Sequence, residues 1–292
     1  MPLFDSEFLT KLEYLSLISR RVFRGSLLAQ KRTMQRGGGV EFADHREYSM
    51  GDDLRYLDWN IYARHGSLLL KRFQEEQDLH VYLFVDSSRS MGFGTPAKFD
   101  LARQVTAALA YIALADLDRV SLISYADRMY ETFPLTRGKS RILTLLQFLE
   151  RLSLQGAETD LATTATNFVH RDQRRGLAVI VSDLFDPQGF QRGLDVLRHR
   201  GFEPHIVQIY DPQEADPKLL GDIELQDIES HSVRKVTINE RNLRTYKQVF
   251  ADFLVSVRKY CRTYGAGCTQ TDNRVTFDDL VLRMMRQAGQ VS

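Results

Sequence analysis

The chain opens on a helical pattern. Phe8, Leu9, Leu12, Leu15 and Ile18 recur every three or four residues, which puts one apolar stripe along one face of a helix. Basic residues crowd the tail of this segment (Arg20, Arg21, Arg24, Lys31, Arg32 and Arg36), and Gly37, Gly38 and Gly39 end any helix. Across 40–78 neither a period of 2 nor one of 3.6 persists. Acids, bases and aromatics interleave there, which predicts an irregular or short-stranded layer with SLLLKRF as its strand. Arg46, Arg55 and Arg64 are expected to pair with Glu41, Asp52 and Asp58, since a buried charge needs a partner. Trp59, the only tryptophan, is expected in the core.

From residue 79 the pattern becomes regular. LHVYLFVD, GLAVIVSD and EPHIVQIYD are short apolar runs, each stopping at an acid. Between and around them, helical spacing predicts helices over 98–117, 140–152, 160–169 and 190–200. DRVSLISY reads as a strand and MYETFPL as a short edge strand. Strands alternating with helices predict an α/β fold with a doubly wound, mostly parallel sheet covered on both faces. Continuous apolar strands belong at its centre. Near 222–238 the rhythm changes to a hairpin, followed by a long amphipathic helix over 240–264, a strand over 267–270 and a helix over 277–287. The expected organisation is an N-terminal helix plus a charged segment over 1–78, then an α/β domain over 79–292.

Composition narrows the functional classes. A hydrophobic share of 43% in 292 residues can bury a sizeable core. The net charge of +1 predicts no global attraction to nucleic acid or to anionic membranes. Cys261 and Cys268 fit no zinc spacing and are expected to be free thiols in a reducing compartment. The seven histidines show no ligand spacing. With neither a signal-peptide pattern nor a stretch of ~20 apolar residues, a soluble, cytoplasmic protein without a membrane span is expected.

Open parallel sheets bind ligands beyond the carboxyl ends of their strands. Here those ends carry Asp86, Ser88 and Ser90, then Ser182 and Asp183, then Tyr210 and Asp211. The first group supplies a carboxylate and two hydroxyls at i, i+2 and i+4, which an extended segment directs one way. Asp183 adds a carboxylate from another strand. These hard oxygen donors suit Mg²⁺ or Mn²⁺. The competing reading is that Asp86 and the serines only cap the following helix.

The pattern resembles the metal-ion-dependent adhesion site of von Willebrand factor type A domains, which combines D-x-S-x-S with a later Thr and a later Asp. Asp86, Ser88 and Ser90 match the first element, Thr159 the second and Asp183 the third. The resemblance implies that Ser88 and Ser90 bind Mg²⁺ (or Mn²⁺ or Ca²⁺) directly and Thr159 directly or through water. It implies that Asp86 and Asp183 hold ligating waters, and that a partner's carboxylate fills the open position. The stretch before the first apolar strand is similar to the prokaryotic "domain of unknown function 58" family. It matches at Gly39, Glu41, Phe42, Arg46, Tyr48, Gly51, Asp52, Arg55, Asp58, Trp59, Ala63, Arg64, Lys71 and Glu75. The closing TDNRVTFDDLVLRMMRQAG fits that family too. Many members carry membrane helices in front. Members are often encoded beside a MoxR-type AAA+ ATPase, so that ATPase or its client is the partner this resemblance implies.

The expected function is therefore a metal-dependent protein-binding or adaptor module, and not an enzyme. A haloacid dehalogenase-like phosphohydrolase would also place acids at two strand ends. It would need a second Asp where Ser88 stands. Nucleic-acid binding through the basic 20–36 run is the other alternative. No phosphate-cradling glycine loop supports it.

Overall fold

The computed structural model describes residues 3–31, 41–74, 79–156, 158–171, 173–218, 220–226 and 233–290. The chain divides into two compact units, one of Met1–Arg20 with Leu79–Val291 and one of Arg21–Asp78. Helix α1 (Ser6–Lys31) opens the chain. Side chains from Arg20 to Asp44, and with them the expected basic arm, lie outside the described residues, as do the three glycines 37–39.

The smaller unit is more regular than its sequence pattern implied. Strand β1 (Glu41–Glu47) pairs antiparallel with β2 (Leu69–Gln74), and helix α2 (Trp59–His65) lies between them in the chain. Asp58 organises this unit. One carboxylate oxygen caps α2 by accepting from the Asn60 and Ile61 amides, and the other meets His45 Nε2 at 3.0 Å and Lys71 Nζ at 3.5 Å. The hydrogen bond to His45, with the cap and Lys71, holds the Asp58 carboxyl down at about 2. The expected charge pairing is corrected here. Arg46 does meet Asp52, at 2.6 Å, but Arg55 pairs with its near neighbour Asp53, and Asp58 takes His45 and Lys71 in place of an arginine. Trp59 also departs from expectation. It is 61% exposed, on a seven-residue helix that buries none of its residues.

The larger unit continues with β3 (His80–Asp86), α3 (Lys98–Ala115), β4 (Arg119–Tyr125), β5 (Met129–Arg137), α4 (Ile142–Arg151), α5 (Leu161–Val169), β6 (Leu177–Ser182), α6 (Phe190–His199) and β7 (Glu203–Tyr210). After these come α7 (Pro212–Ala215), β8 (Gly221–Gln226), β9 (Val233–Ile238), α8 (Glu240–Tyr264), β10 (Gly267–Asp272) and α9 (Phe277–Gln290). Six strands form one sheet in the order β10-β7-β6-β3-β4-β5. Only the edge strand β5 runs antiparallel. The result is a mostly parallel α/β fold, as the apolar runs predict, in the von Willebrand factor type A-like arrangement that the resemblance implies. The hairpin β8–β9 pairs Gly221 with Ile238 through to Gln226 with Val233. The helix expected from 140 starts two residues later, after a 3-10 turn at Lys139–Arg141.

Every residue of β3 is buried, as a central strand demands. Tyr82 and Phe84 face a cluster that includes Phe168 of α5, Leu194 and Leu197 of α6, and Val257 and Cys261 of α8. Alternation along the strand sends Val81, Leu83 and Val85 to the opposite face. There α3 packs against β3 and α9 against α3. Phe8 of α1 packs against Phe277 of α9, with tilted rings whose centroids are 4.4 Å apart. Among the described residues, no helix is long and apolar enough to cross a membrane.

Helices α5 and α6 meet at Gly193. A Cβ there would lie 2.5 Å from Leu161 Cγ and 2.9 Å from the Leu161 carbonyl. The backbone of α5 cannot yield as a flexible side chain would. Gly193→Ala is therefore expected to destabilise by about 1–3 kcal/mol, although alanine is intrinsically better in a helix by about 1 kcal/mol. Urea unfolding of the variant is the check, and unchanged or raised stability would show that the two helices can separate freely.

Candidate metal centre

The chain order reverses between β3 and β6, which are neighbours in the sheet. Such a switch point leaves a crevice beyond the strand ends, the usual ligand position in open α/β sheets. Asp86 and Ser182 close β3 and β6 there. Ser182 Oγ donates to Asp86 Oδ2 at 2.5 Å, and the Ser88 amide donates to Asp86 Oδ1 at 2.9 Å.

The D-x-S-x-S segment leaves the sheet at once. Ser88 begins a 3-10 turn over Arg89–Gly92 without capping it by its side chain, so the Ser88 hydroxyl is not spent on the cap. Ser88 Oγ and Ser90 Oγ instead lie 3.1 Å apart. Ser87 anchors the segment from behind: its hydroxyl donates to the Tyr125 carbonyl at 2.9 Å and accepts from Ser124 Oγ at 3.0 Å. The loop that carries Thr159 is pinned from two sides. The Gln155 amide donates to the Ser87 carbonyl, and the Leu161 amide donates to Asp186 Oδ2 in the loop after β6. Arg89 and Glu158, the charged neighbours of the motif, are both exposed.

All five residues of the expected site are buried: Asp86 and Ser88 at 0%, Asp183 at 1%, Thr159 at 2% and Ser90 at 8% exposure. Burial and the neighbouring Asp183 charge push the Asp86 carboxyl up to about 7, against the hydrogen bonds from Ser182 and Ser88. Thr159 Oγ1 is buried without a hydrogen-bond partner. An orphaned hydroxyl of this kind costs free energy unless something else satisfies it. Two crowded carboxylates and an unsatisfied oxygen are what a hard divalent cation would relieve. The residues present therefore fit such an ion. Among the described residues no group of three Asp, Glu, His or Cys side chains is arranged to hold a metal ion by itself. An ion here would depend on the three hydroxyls and on water for the rest of its shell.

A cation is already built into the edge of this site. Lys98, the first residue of α3, is fully buried. Its Nζ donates to Asp183 Oδ2 at 2.8 Å and to Glu214 Oε1 at 2.5 Å, and stands 4.9 Å from the centre of the Phe185 ring. Desolvation lowers the lysine pKa, but the charges and hydrogen bonds of Asp183 and Glu214 outweigh it and hold Lys98 protonated. Burial raises Glu214 in spite of Lys98. The short contacts on both sides of the ammonium favour the charged arrangement. Glu214 is fixed in turn by a capping box, in which Asp211 caps α7 and the Asp211 amide donates to Glu214 Oε2 at 2.7 Å.

Sequence reasoning did not single out Lys98 or Glu214, and it named Ser182 only as part of a strand end without a role. A signal for Lys98 existed: it precedes Leu101 and Val105 at i+3 and i+7, so it lies on the apolar stripe of α3. Asp211, at the third strand end, serves the loops. Its Oδ2 accepts from Asn273 Nδ2, which also donates to the Pro96 carbonyl. Gly94 passes so close that a Cβ would lie 2.2 Å from Asn273 Nδ2, and its φ of 95° independently favours glycine. An open cavity of about 550 Å³ lies over these loops, lined by Phe93, Pro212, Gln213, Asp216, Lys218 and Arg274 among others.

Comparison with known proteins matches most of the chain. An uncharacterized protein of Mycobacterium tuberculosis strain ATCC 25618 / H37Rv (Rv1480) is 27% identical over 266 residues, covering 90% of this chain and 84% of its own. Among solved structures, the conserved hypothetical protein BatB from Bacteroides thetaiotaomicron aligns with 14% identity and a TM-score of 0.46, over 73% of this chain and 99% of its own. An aerotolerance-related membrane protein from Bacteroides fragilis NCTC 9343 aligns with 17% identity and a TM-score of 0.46, over 72% and 99%. The profile of the family described as "Protein of unknown function DUF58" matches residues 44–252, more than half of the sequence, and the chain belongs to that family.

Proposed function

We propose that this protein is a non-enzymatic binding module whose crevice at β3 and β6 holds a divalent ion and, through it, a carboxylate of a protein partner. The observation that supports this reading is the buried Thr159 Oγ1 without a partner, on a loop tied by hydrogen bonds to Ser87 and Asp186 at the two strand ends that carry the paired Ser88 and Ser90 hydroxyls and the Asp86 and Asp183 carboxylates. Ser88, Ser90 and Thr159 would hold the ion directly, and Asp86 and Asp183 would hold its waters. A bound Mg²⁺ would supply a Lewis-acidic position open to an acidic side chain. The chain's own residues do the rest. Ser87 and Ser182 fix the two strand ends, and Lys218 and Arg274 on the adjoining cavity suit an acidic partner surface.

The partner class implied by the family resemblance is a MoxR-type AAA+ ATPase or its client. Capture of that ATPase by the immobilised chain should require Mg²⁺. It should be lost in EDTA and in Asp86→Ala. Equal capture with Mg²⁺, with EDTA and by the variant would remove the metal from the function. The phosphohydrolase alternative lacks its second acid: Ser88 stands at that position, and its hydroxyl lies beside Ser90 Oγ at 3.1 Å.

A further inference from the structure

We propose that Lys98 is a resident counter-ion that competes with the divalent ion for Asp183 and so sets the metal affinity of the site low. This inference rests on the metal-site reading above and concerns how that site is regulated.

With Lys98 in place, Asp183 has both oxygens engaged. Oδ2 accepts from Lys98 Nζ at 2.8 Å and Oδ1 accepts from the Phe185 amide at 3.0 Å. An ion, or a water on it, must share or displace the ammonium to use Oδ2. The ammonium also repels a dication across a largely buried site, where water and salt screen weakly. Glu214 gives the displaced charge somewhere to stay. Its Oε1 already holds Lys98 at 2.5 Å, and its side chain keeps 14% exposure at the rim. Asp86, Asp183 and Glu214 against Lys98 leave two negative charges when all are ionised, the charge of one divalent ion. The exchange is therefore between Lys98 shared by two acids and Lys98 left on Glu214 while Asp183 serves the ion.

A bridge that merely ties α3 to the loops after β6 and β7 would have a different signature. Cutting it would loosen the site and weaken metal binding. Competition predicts the opposite sign. The test is a Mn²⁺ titration of the full chain, followed by the paramagnetic resonance signal of free Mn²⁺, with folding checked by circular dichroism. The double variant K98M/E214Q removes one positive and one negative charge, so the net charge is unchanged. It should bind Mn²⁺ at least about tenfold tighter than the parent. K98Q, which keeps a donor for Asp183 without the charge, should also bind tighter, and serves if the double variant does not fold. Equal or weaker binding by the folded variants overturns the competition. If the parent binds Mn²⁺ in a manner lost in Asp86→Ala while the Lys98 variants bind no tighter, the metal reading stands and this proposal falls. If no folded protein of the set binds Mn²⁺, both fall. Binding by K98M/E214Q where the parent binds none supports the competition in its strongest form.

Discussion

Phe168→Ala is expected to lower the melting temperature by about 10 °C. Phe168 is 2% exposed and stands at the centre of an aromatic cluster, with ring centroids 4.9 Å from Tyr82, 4.9 Å from Phe84 and 5.3 Å from Phe202. Two of these partners belong to the fully buried central strand, so the neighbours cannot collapse into the space without moving the sheet. Truncating a buried phenylalanine costs about 3–5 kcal/mol in lost transfer energy and residual cavity. For a unit of this size each kcal/mol shifts the melting temperature by about 2–4 °C. Val249 on α8 supplies the control, since it is 62% exposed and its truncation should stay within about 0.5 kcal/mol. A Phe168→Ala loss no larger than that control would mean that this face of the sheet is loosely packed.

The same cluster explains why so much of the fold was legible in the sequence. LHVYLFVD, GLAVIVSD and EPHIVQIYD are apolar on both faces because both faces are covered, and each stops where the chain leaves the sheet. Helix α8 spans the expected 240–264 because its N-cap Asn239 and its left-handed Gly265 punctuate it. Residues 40–78 were less legible. Asp58 serves as helix cap and ion-pair partner at once, and its partners His45 and Lys71 come from the two strands flanking α2, which spacing along the chain does not reveal. Trp59 departs from expectation because a large aromatic usually marks a core, whereas α2 buries none of its residues. In the site, Asp86, Ser88, Ser90, Thr159 and Asp183 were readable as a pattern of residue types. Lys98 and Glu214 were not, since their roles come from pairing across 116 positions of sequence. A lysine on an apolar stripe is the one trace that such a contact leaves.

The two acids at the crevice give the second large effect, a change in how stability depends on pH once divalent ions are removed. Burial and Asp183 raise Asp86 from 3.8 to about 7 in the folded chain. Between those values the folded state holds a proton that the unfolded state has released. Stability from this group is therefore lost as pH rises through the window, and the loss is complete above about pH 7. His205 acts in the opposite sense, because burial presses it to about 4 and the unfolded imidazole binds the extra proton. The two slopes partly cancel in the parent, so the comparison that isolates Asp86 is with Asp86→Asn. Asparagine keeps an acceptor for the Ser88 amide and a group to meet Ser182, but carries no charge. In EDTA, urea unfolding should show the variant gaining on the parent between pH 4 and pH 7.5, by an amount on the order of a few kcal/mol. Adding Mn²⁺ should then stabilise the parent through mass action and leave the variant nearly unmoved. A stability difference that stays flat across this range would mean that Asp86 carries no charge conflict with Asp183 for an ion at this crevice to relieve. A growing difference, with stabilisation by Mn²⁺ confined to the parent, would show that the chain accepts a charge conflict at the ends of β3 and β6 that an ion resolves.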